Sequence, residues 1–175
     1  MTGFLNIQLV QTVNGVIKAG DLLPGMEVYS YDLEQRKVII SKVKRVSNLG
    51  TQHKLMHYTF DHGQNLWCTE DLEIGICETK YYQKTKESDK IPYLKTRFKY
   101  IKDINRRYRI QTNILPEYME GELPSGNKLF RSEIDGDLTS DCYVCQIVLE
   151  DASNLFITSK YSKAEGILVK VFQEE

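Results

Sequence analysis

Val10-Gln-Thr-Val-Asn-Gly-Val-Ile-Lys-Ala-Gly-Asp-Leu-Leu-Pro-Gly-Met-Glu-Val-Tyr-Ser-Tyr-Asp32 is the stretch on which the reading of the fold turns. Asn14-Gly15 is a hairpin pair, because a tight turn between twisted strands asks for positive φ, which Gly adopts freely and Asn tolerates. Pro24-Gly25 is a second turn, in which Pro pre-sets φ at one residue and Gly accepts positive φ at the next. Glu27 to Tyr31 then supplies the β-branched and aromatic residues that suit a half-buried strand. Two turns and three extended segments thus fall within 23 residues.

The same alternation continues outward. Residues 7–13, 37–46, 57–60, 65–68, 108–112, 143–149, 155–157 and 167–172 read as strands, with further turn chemistry at Asp61-His-Gly63, Pro124-Ser-Gly126 and Asp135-Gly136. No segment carries a long apolar pattern at helical period, and the prolines fall between the runs. Many short strands with frequent turns predict an all-β, barrel-like or sandwich-like domain. At 175 residues the chain has room for one sizeable core, and residues 1–175 are read as a single domain. An apolar fraction of 41% suits a soluble globular protein, and a net charge of −1 gives no global field that would select a nucleic acid or an acidic membrane. No apolar run is long enough to span a bilayer and none follows a basic start, so the expectation is an intracellular protein without membrane contact.

Four cysteines without a secretory signal predict reduced thiols. Cys142 and Cys145 have the spacing of a zinc knuckle. Cys68 and Cys77 are too far apart to complete it, and no His lies at finger spacing, so neither a metal nor another cofactor is expected. His53, His57 and His62 read as surface and turn residues.

Two segments interrupt the uniform pattern. Residues 79–109 hold eleven Lys and Arg against three acids, interleaved with Tyr81, Tyr82, Tyr93, Phe98, Tyr100 and Tyr108; residues 117–141 hold seven acids against two basic residues. Sparse strand signals predict insertions or long loops at 79–97 and 117–141. A faint repeat is also present. Thr12-Val-Asn-Gly15 leads to Ile17 and Leu22, much as Thr69-Glu-Asp71 leads to Phe98, Ile101 and Ile104, which suggests a pseudo-two-fold arrangement of two similar halves.

The quoted stretch, with its Thr, turn Gly and Leu-x-Pro-Gly-x-x-Val approach to a strand ending in Tyr-Asp, resembles the opening of a Hint domain, the fold of inteins and hedgehog autoprocessing domains. Asn65-Leu-Trp-Cys-Thr-Glu-Asp71 resembles the family's second block, and Val144-Cys-Gln-Ile-Val-Leu-Glu-Asp-Ala-Ser-Asn-Leu-Phe156 its penultimate block. The resemblance covers roughly residues 3–158, less the two charged segments, and implies a Hint-like pseudo-two-fold β fold.

It also implies where chemistry would sit. The family needs a Cys or Ser at its first residue; counting back from Thr12 places Gly3 there, which has no nucleophile to offer. The second block carries a His three residues after its Thr. Here Thr69 and Asp71 are kept, and Leu72 stands where the His would be. Ser153 replaces the His of the penultimate block, and the closing His-Asn is absent from Val171-Phe-Gln-Glu-Glu175. Cys68 and Cys145 are the thiols expected near the cleft.

The resemblance and its gaps imply a degenerate, non-splicing domain that serves as a structural or protein-binding module, of the kind a phage or mobile element would retain, with another protein as partner. A self-processing element, native or inactivated by mutation, is the first alternative. The second is a nucleic-acid-binding module using Lys80, Lys84, Lys95, Arg97, Lys99, Arg106, Arg107 and Arg109, since Lys and Arg neutralise phosphates and Tyr rings stack on bases. Inteins carry endonuclease or DNA-recognition insertions in the corresponding gap.

Overall fold

In a computed structural model of the chain, residues 2–51, 55–60, 65–104, 109–110, 112–113, 129–134, 142–158 and 166–173 are described. The turns expected at 61–63, 124–126 and 135–136, along with His53, His62, Arg106 and Arg107, lie outside them.

Strand β1 (Phe4–Leu5) enters a hairpin of β2 (Leu9–Thr12) and β3 (Gly15–Lys18). Gly15 has φ +128, and the Thr12 hydroxyl locks the turn by donating to the Gly15 carbonyl (2.6 Å) while accepting from Asn14 N–H (3.2 Å). A 3-10 turn at Ala19–Asp21 then redirects the chain. Around Pro24-Gly25 the Met26 N–H closes onto the Leu23 carbonyl (3.1 Å), with Gly25 at φ +91 as the sequence demands.

Beyond this turn run β4 (Glu27–Asp32), β5 (Lys37–Asn48), β6 (Leu55–Phe60), β7 (Asn65–Cys68), β8 (Glu73–Tyr82), β9 (Ile91–Tyr100), β10 (Arg109–Ile110), β11 (Thr112–Asn113) and β12 (Leu129–Ile134). The last four are β13 (Val144–Leu149), β14 (Asn154–Thr158), β15 (Gly166–Lys170) and β16 (Phe172–Gln173). They form one curled sheet in the order β10-β8-β15-β14-β2-β4-β5-β13-β1-β7-β6-β12, with β3, β9, β11 and β16 pairing onto β2, β8, β15 and β13. Every pairing but β13–β16 is antiparallel. Among the described residues no helix is long and apolar enough to cross a membrane.

The long strand β5 joins the two halves of the sheet. Its first part, Lys37–Lys42, pairs with β4, and Val43–Asn48 pairs with β13, with a register shift at Val148/Leu149 that lets the strand turn the corner. The chain also passes between the halves at Asn6–Gln8, Thr69–Leu72 and Glu150–Ser153. Between the halves lies one apolar cluster that includes Phe4, Val10, Val43, Leu72, Ile147 and Ile157. The faint repeat has a structural counterpart. Both β2–β3 and β8–β9 end in a 3-10 turn whose first residue, Ala19 or Ile101, is buried and accepts the N–H of Leu22 or Ile104 three residues on.

The basic segment differs from expectation. Where residues 79–97 were read as an insertion or long loop, β8 and β9 pair in continuous register from Glu73↔Tyr100 to Tyr82↔Ile91, leaving only residues 83–90 as the connection. Lys95, Arg97 and Lys99 fall on alternate positions of β9, so their charge hides a period-2 pattern from a reading based on apolar residues. In the acidic segment 117–141, residues 129–134 form β12 against β6, and the remainder is outside the described residues.

Candidate functional site at the Gly3 cleft

Strand β1 is short, but it is held on both sides: Phe4 is opposite Cys145 of β13 and Cys68 of β7. That register brings Gly3 to the crossover segment after β7. Thr69 N–H donates to the Gly3 carbonyl (3.0 Å), and the Thr69 hydroxyl accepts from Gly3 N–H (3.0 Å). Of the two acceptors near that hydroxyl, Asp71 Oδ1 at 2.6 Å is better placed for its single proton than the Gly3 carbonyl at 3.2 Å. The Thr2 hydroxyl donates to the other carboxylate oxygen of Asp71 (2.8 Å). Thr2, Gly3, Thr69 and Asp71 therefore form one hydrogen-bonded knot across more than sixty residues of sequence.

Burial works to raise the Asp71 carboxyl, but hydrogen bonds from Thr69 and Thr2 outweigh it and hold the group below the usual carboxylate range. A group with a lowered folded-state pKa contributes stability above its unfolded pKa, about 3.9, and loses that contribution as pH falls through the folded value. Denaturant midpoints should therefore drop between pH 6 and pH 3, and Asp71→Asn should show a flatter acid limb than the parent.

Gly3 sits where the surroundings have closed. A Cβ built on it would lie 2.5 Å from the Cys145 carbonyl oxygen and 2.8 Å from Val144 Cγ1. The first obstacle is backbone in a strand paired on both sides, so it cannot swing away as a side chain would. Leu72 borders the same cleft, only 1% exposed, with its N–H on the Thr69 carbonyl and its own carbonyl taking the Ile101 N–H. Lys170, Val171 and Phe172 complete the border. Lys170 was not anticipated from sequence; β14 and β15 carry it there, and it pairs with Glu73 at 3.3 Å. Only long-range pairing places it, so local sequence held no signal for it.

This architecture has clear counterparts among solved structures. The DnaB intein of Synechocystis sp. PCC 6803 superposes with a TM-score of 0.65 at 12% identity, covering 98% of this chain and 99% of that one. An intein from a hyperthermophile gives 0.66 at 13%, covering 97% and 99%, and the bacterial intein-like domain of Clostridium thermocellum gives 0.62 at 15%, also covering 97% and 99%. The chain has the Hint fold. At these identities the likeness is one of fold, and neither a family model nor a curated protein matches the sequence.

The other candidate residues fall in varied surroundings. Ser153 lies at the β13–β14 crossover, where its carbonyl accepts from Val171 N–H (2.8 Å). The adjacent Asn154 is buried and clamps Tyr31, accepting its N–H (2.7 Å) and donating to its carbonyl (3.0 Å). His57 belongs to β6, where a strand is expected at 57–60, and is half-buried and stacked on Trp67.

Cys68 and Cys145 flank Phe4 as buried core residues. Burial pushes the Cys68 thiol far up, with the Asp71 charge adding to the effect, and pushes Cys145 up to about 12. Burial likewise raises Cys77 to about 11. Such thiols carry almost no thiolate near neutral pH. Cys142 precedes β13 and is half-exposed. Iodoacetamide at pH 8 should label Cys142 in the native protein and the other three only after unfolding, as peptide mass mapping would read.

In the basic segment Arg97 pairs with Glu78 (2.8 Å), Lys84 and Lys95 are exposed, and Lys99 is half-buried. Lys80 and Arg109 belong to β8 and β10, with side chains outside the description.

Proposed function

We propose that this Hint domain does not splice and serves as a structural or protein-binding module. The observation that carries the reading is the closed seat at Gly3, where the backbone of β13 occupies the space a nucleophilic side chain would need. Acyl transfer begins with attack by a hydroxyl or thiol on a neighbouring carbonyl, and residue 3 supplies neither. Leu72, buried beside it, cannot donate or accept the proton that such a step requires. Cys145 lies at the cleft but as a buried, protonated thiol. What remains is a rigid scaffold whose knot of Thr69, Asp71 and Thr2 holds its first strand.

The test is a reporter protein fused ahead of residue 1 and incubated with a small thiol. The fusion should stay intact on a denaturing gel over days; release of the reporter would overturn the proposal. The exposed Lys84 and Lys95 favour nucleic-acid binding as a second reading. It predicts retention on an immobilised polyanion that salt abolishes, and flow-through at low salt would dispose of it.

A further inference from the structure

A groove separate from the Gly3 cleft opens where the ends of three paired strands face β7. Its floor is the row Lys18, Leu9 and Thr158, which are neighbours in register, and its wall is Trp67 and Asn65. The cavity volume is about 390 Å³, toward the low end of the roughly 300–1,000 Å³ typical of ligand sites.

Gln8 and Ile7 complete the lining and differ in kind. Ile7 is an apolar side chain left 44% exposed. Gln8 is only 6% exposed, and its amide nitrogen is satisfied, donating to the Thr158 carbonyl (3.0 Å) and the Asn65 carbonyl (3.4 Å). Its Oε1 receives no hydrogen bond from any described residue and is not fully buried, so it is open to a donor from the groove. The wall is held in advance. The His57 ring stacks on Trp67 with centroids 4.0 Å apart and planes within 7°, while His57 Nε2 lies 2.9 Å from Asn65 Oδ1. Lys18 is exposed and forms no ion pair with a described residue, and among the described residues no carboxylate lines the groove.

We infer that this groove binds an extended segment of a partner protein that carries an apolar side chain next to an acidic one. The apolar side chain lies against Ile7 and Trp67, the acid meets Lys18, and a backbone N–H of the segment donates to the open Gln8 Oε1. The inference rests on the protein-binding reading above and names its surface. A preformed wall lowers the ordering cost of binding, and a single exposed cation opposite an aromatic surface sets the charge preference.

Trp67 is the sole tryptophan of the chain, so its fluorescence reports directly on the groove. The probes are capped octapeptides free of Trp and Tyr, with one central apolar residue, varied through Leu, Ile, Val, Phe and Met, followed by Glu. A second set carries Lys in place of Glu. At least one acidic probe should change the fluorescence saturably, and its Lys counterpart should bind at least about ten-fold more weakly. Lys18→Glu, an exposed change that leaves the core alone, should reverse the preference, and Gln8→Met should weaken both sets. Absence of saturable binding throughout the acidic set, or binding indifferent to Lys18→Glu, would overturn the groove assignment. Either failure leaves an uncleaved reporter fusion as it was, whereas cleavage of that fusion overturns the non-splicing reading without touching the fluorescence titration.

Discussion

A Gly3→Ala variant is expected to lose about 3 kcal/mol of folding stability, at the upper end of what overpacking a core costs. For a chain of this size that corresponds to a fall in Tm of roughly 6–12 °C. The cause is steric. One methyl group would meet the Cys145 carbonyl oxygen at 2.5 Å, and retreat of that carbonyl would strain the pairings of β13 with β1 and with β5. Gly3→Cys should be at least as costly, and it should not restore reactivity, because a displaced β13 no longer presents the geometry the reaction needs. Thermal unfolding followed by circular dichroism checks both variants. An alanine variant as stable as the parent would show that β13 yields freely, and the closed-seat argument would go with it.

Leu72→His is the second large effect, with an expected cost of about 4 kcal/mol. The parent side chain is 1% exposed within the main apolar cluster, so the change removes packed methyl groups and buries an imidazole in their place. The adjacent Asp71 carboxylate already accepts from both Thr69 and Thr2. Leu72→Met serves as the control, since a volume-conserving apolar exchange should cost less than about 1.5 kcal/mol. Denaturant titration of the two variants separates polarity from shape. Combining Gly3→Cys, Leu72→His and Ser153→His in the reporter fusion should still give no cleavage. If the combination cuts, the scaffold has kept a working cleft and the closed-seat argument fails, while the parent fusion still decides the non-splicing proposal.

The sites legible in sequence were those whose requirement is local. Gly15 and Gly25 both take positive φ where Asn-Gly and Pro-Gly pairs call for it. Strands β2, β4, β5, β7, β13 and β14 lie where β-branched and aromatic residues cluster. The β8–β9 hairpin is hard to read from sequence because Lys95, Arg97 and Lys99 hold alternate positions of β9. A strand that keeps charge on one row shows few apolar residues to a pattern based on hydrophobicity. Gly3, Thr69 and Leu72 are positions that the resemblance to the Hint family points to, and the resemblance is silent on whether the cleft has room. Lys170 went unseen because its place depends on pairing with strands far away in sequence.

Composition, turn residues and alternation, which act over a few neighbouring residues, thus determined that this chain is an all-β domain, and the order of its motifs indicated the Hint fold. The tertiary structure decided what lies around Gly3 and Gln8. Absence of a side chain can be read from a letter, but occupation of its space by the Cys145 carbonyl cannot, because strands β1 and β13 are separated by nearly the whole chain. The same holds for Gln8, whose amide bridges β7 and β14 only because the curled sheet brings their ends together. Steric room and long-range hydrogen bonds belong to pairs of distant segments, and only the folded arrangement brings them into contact.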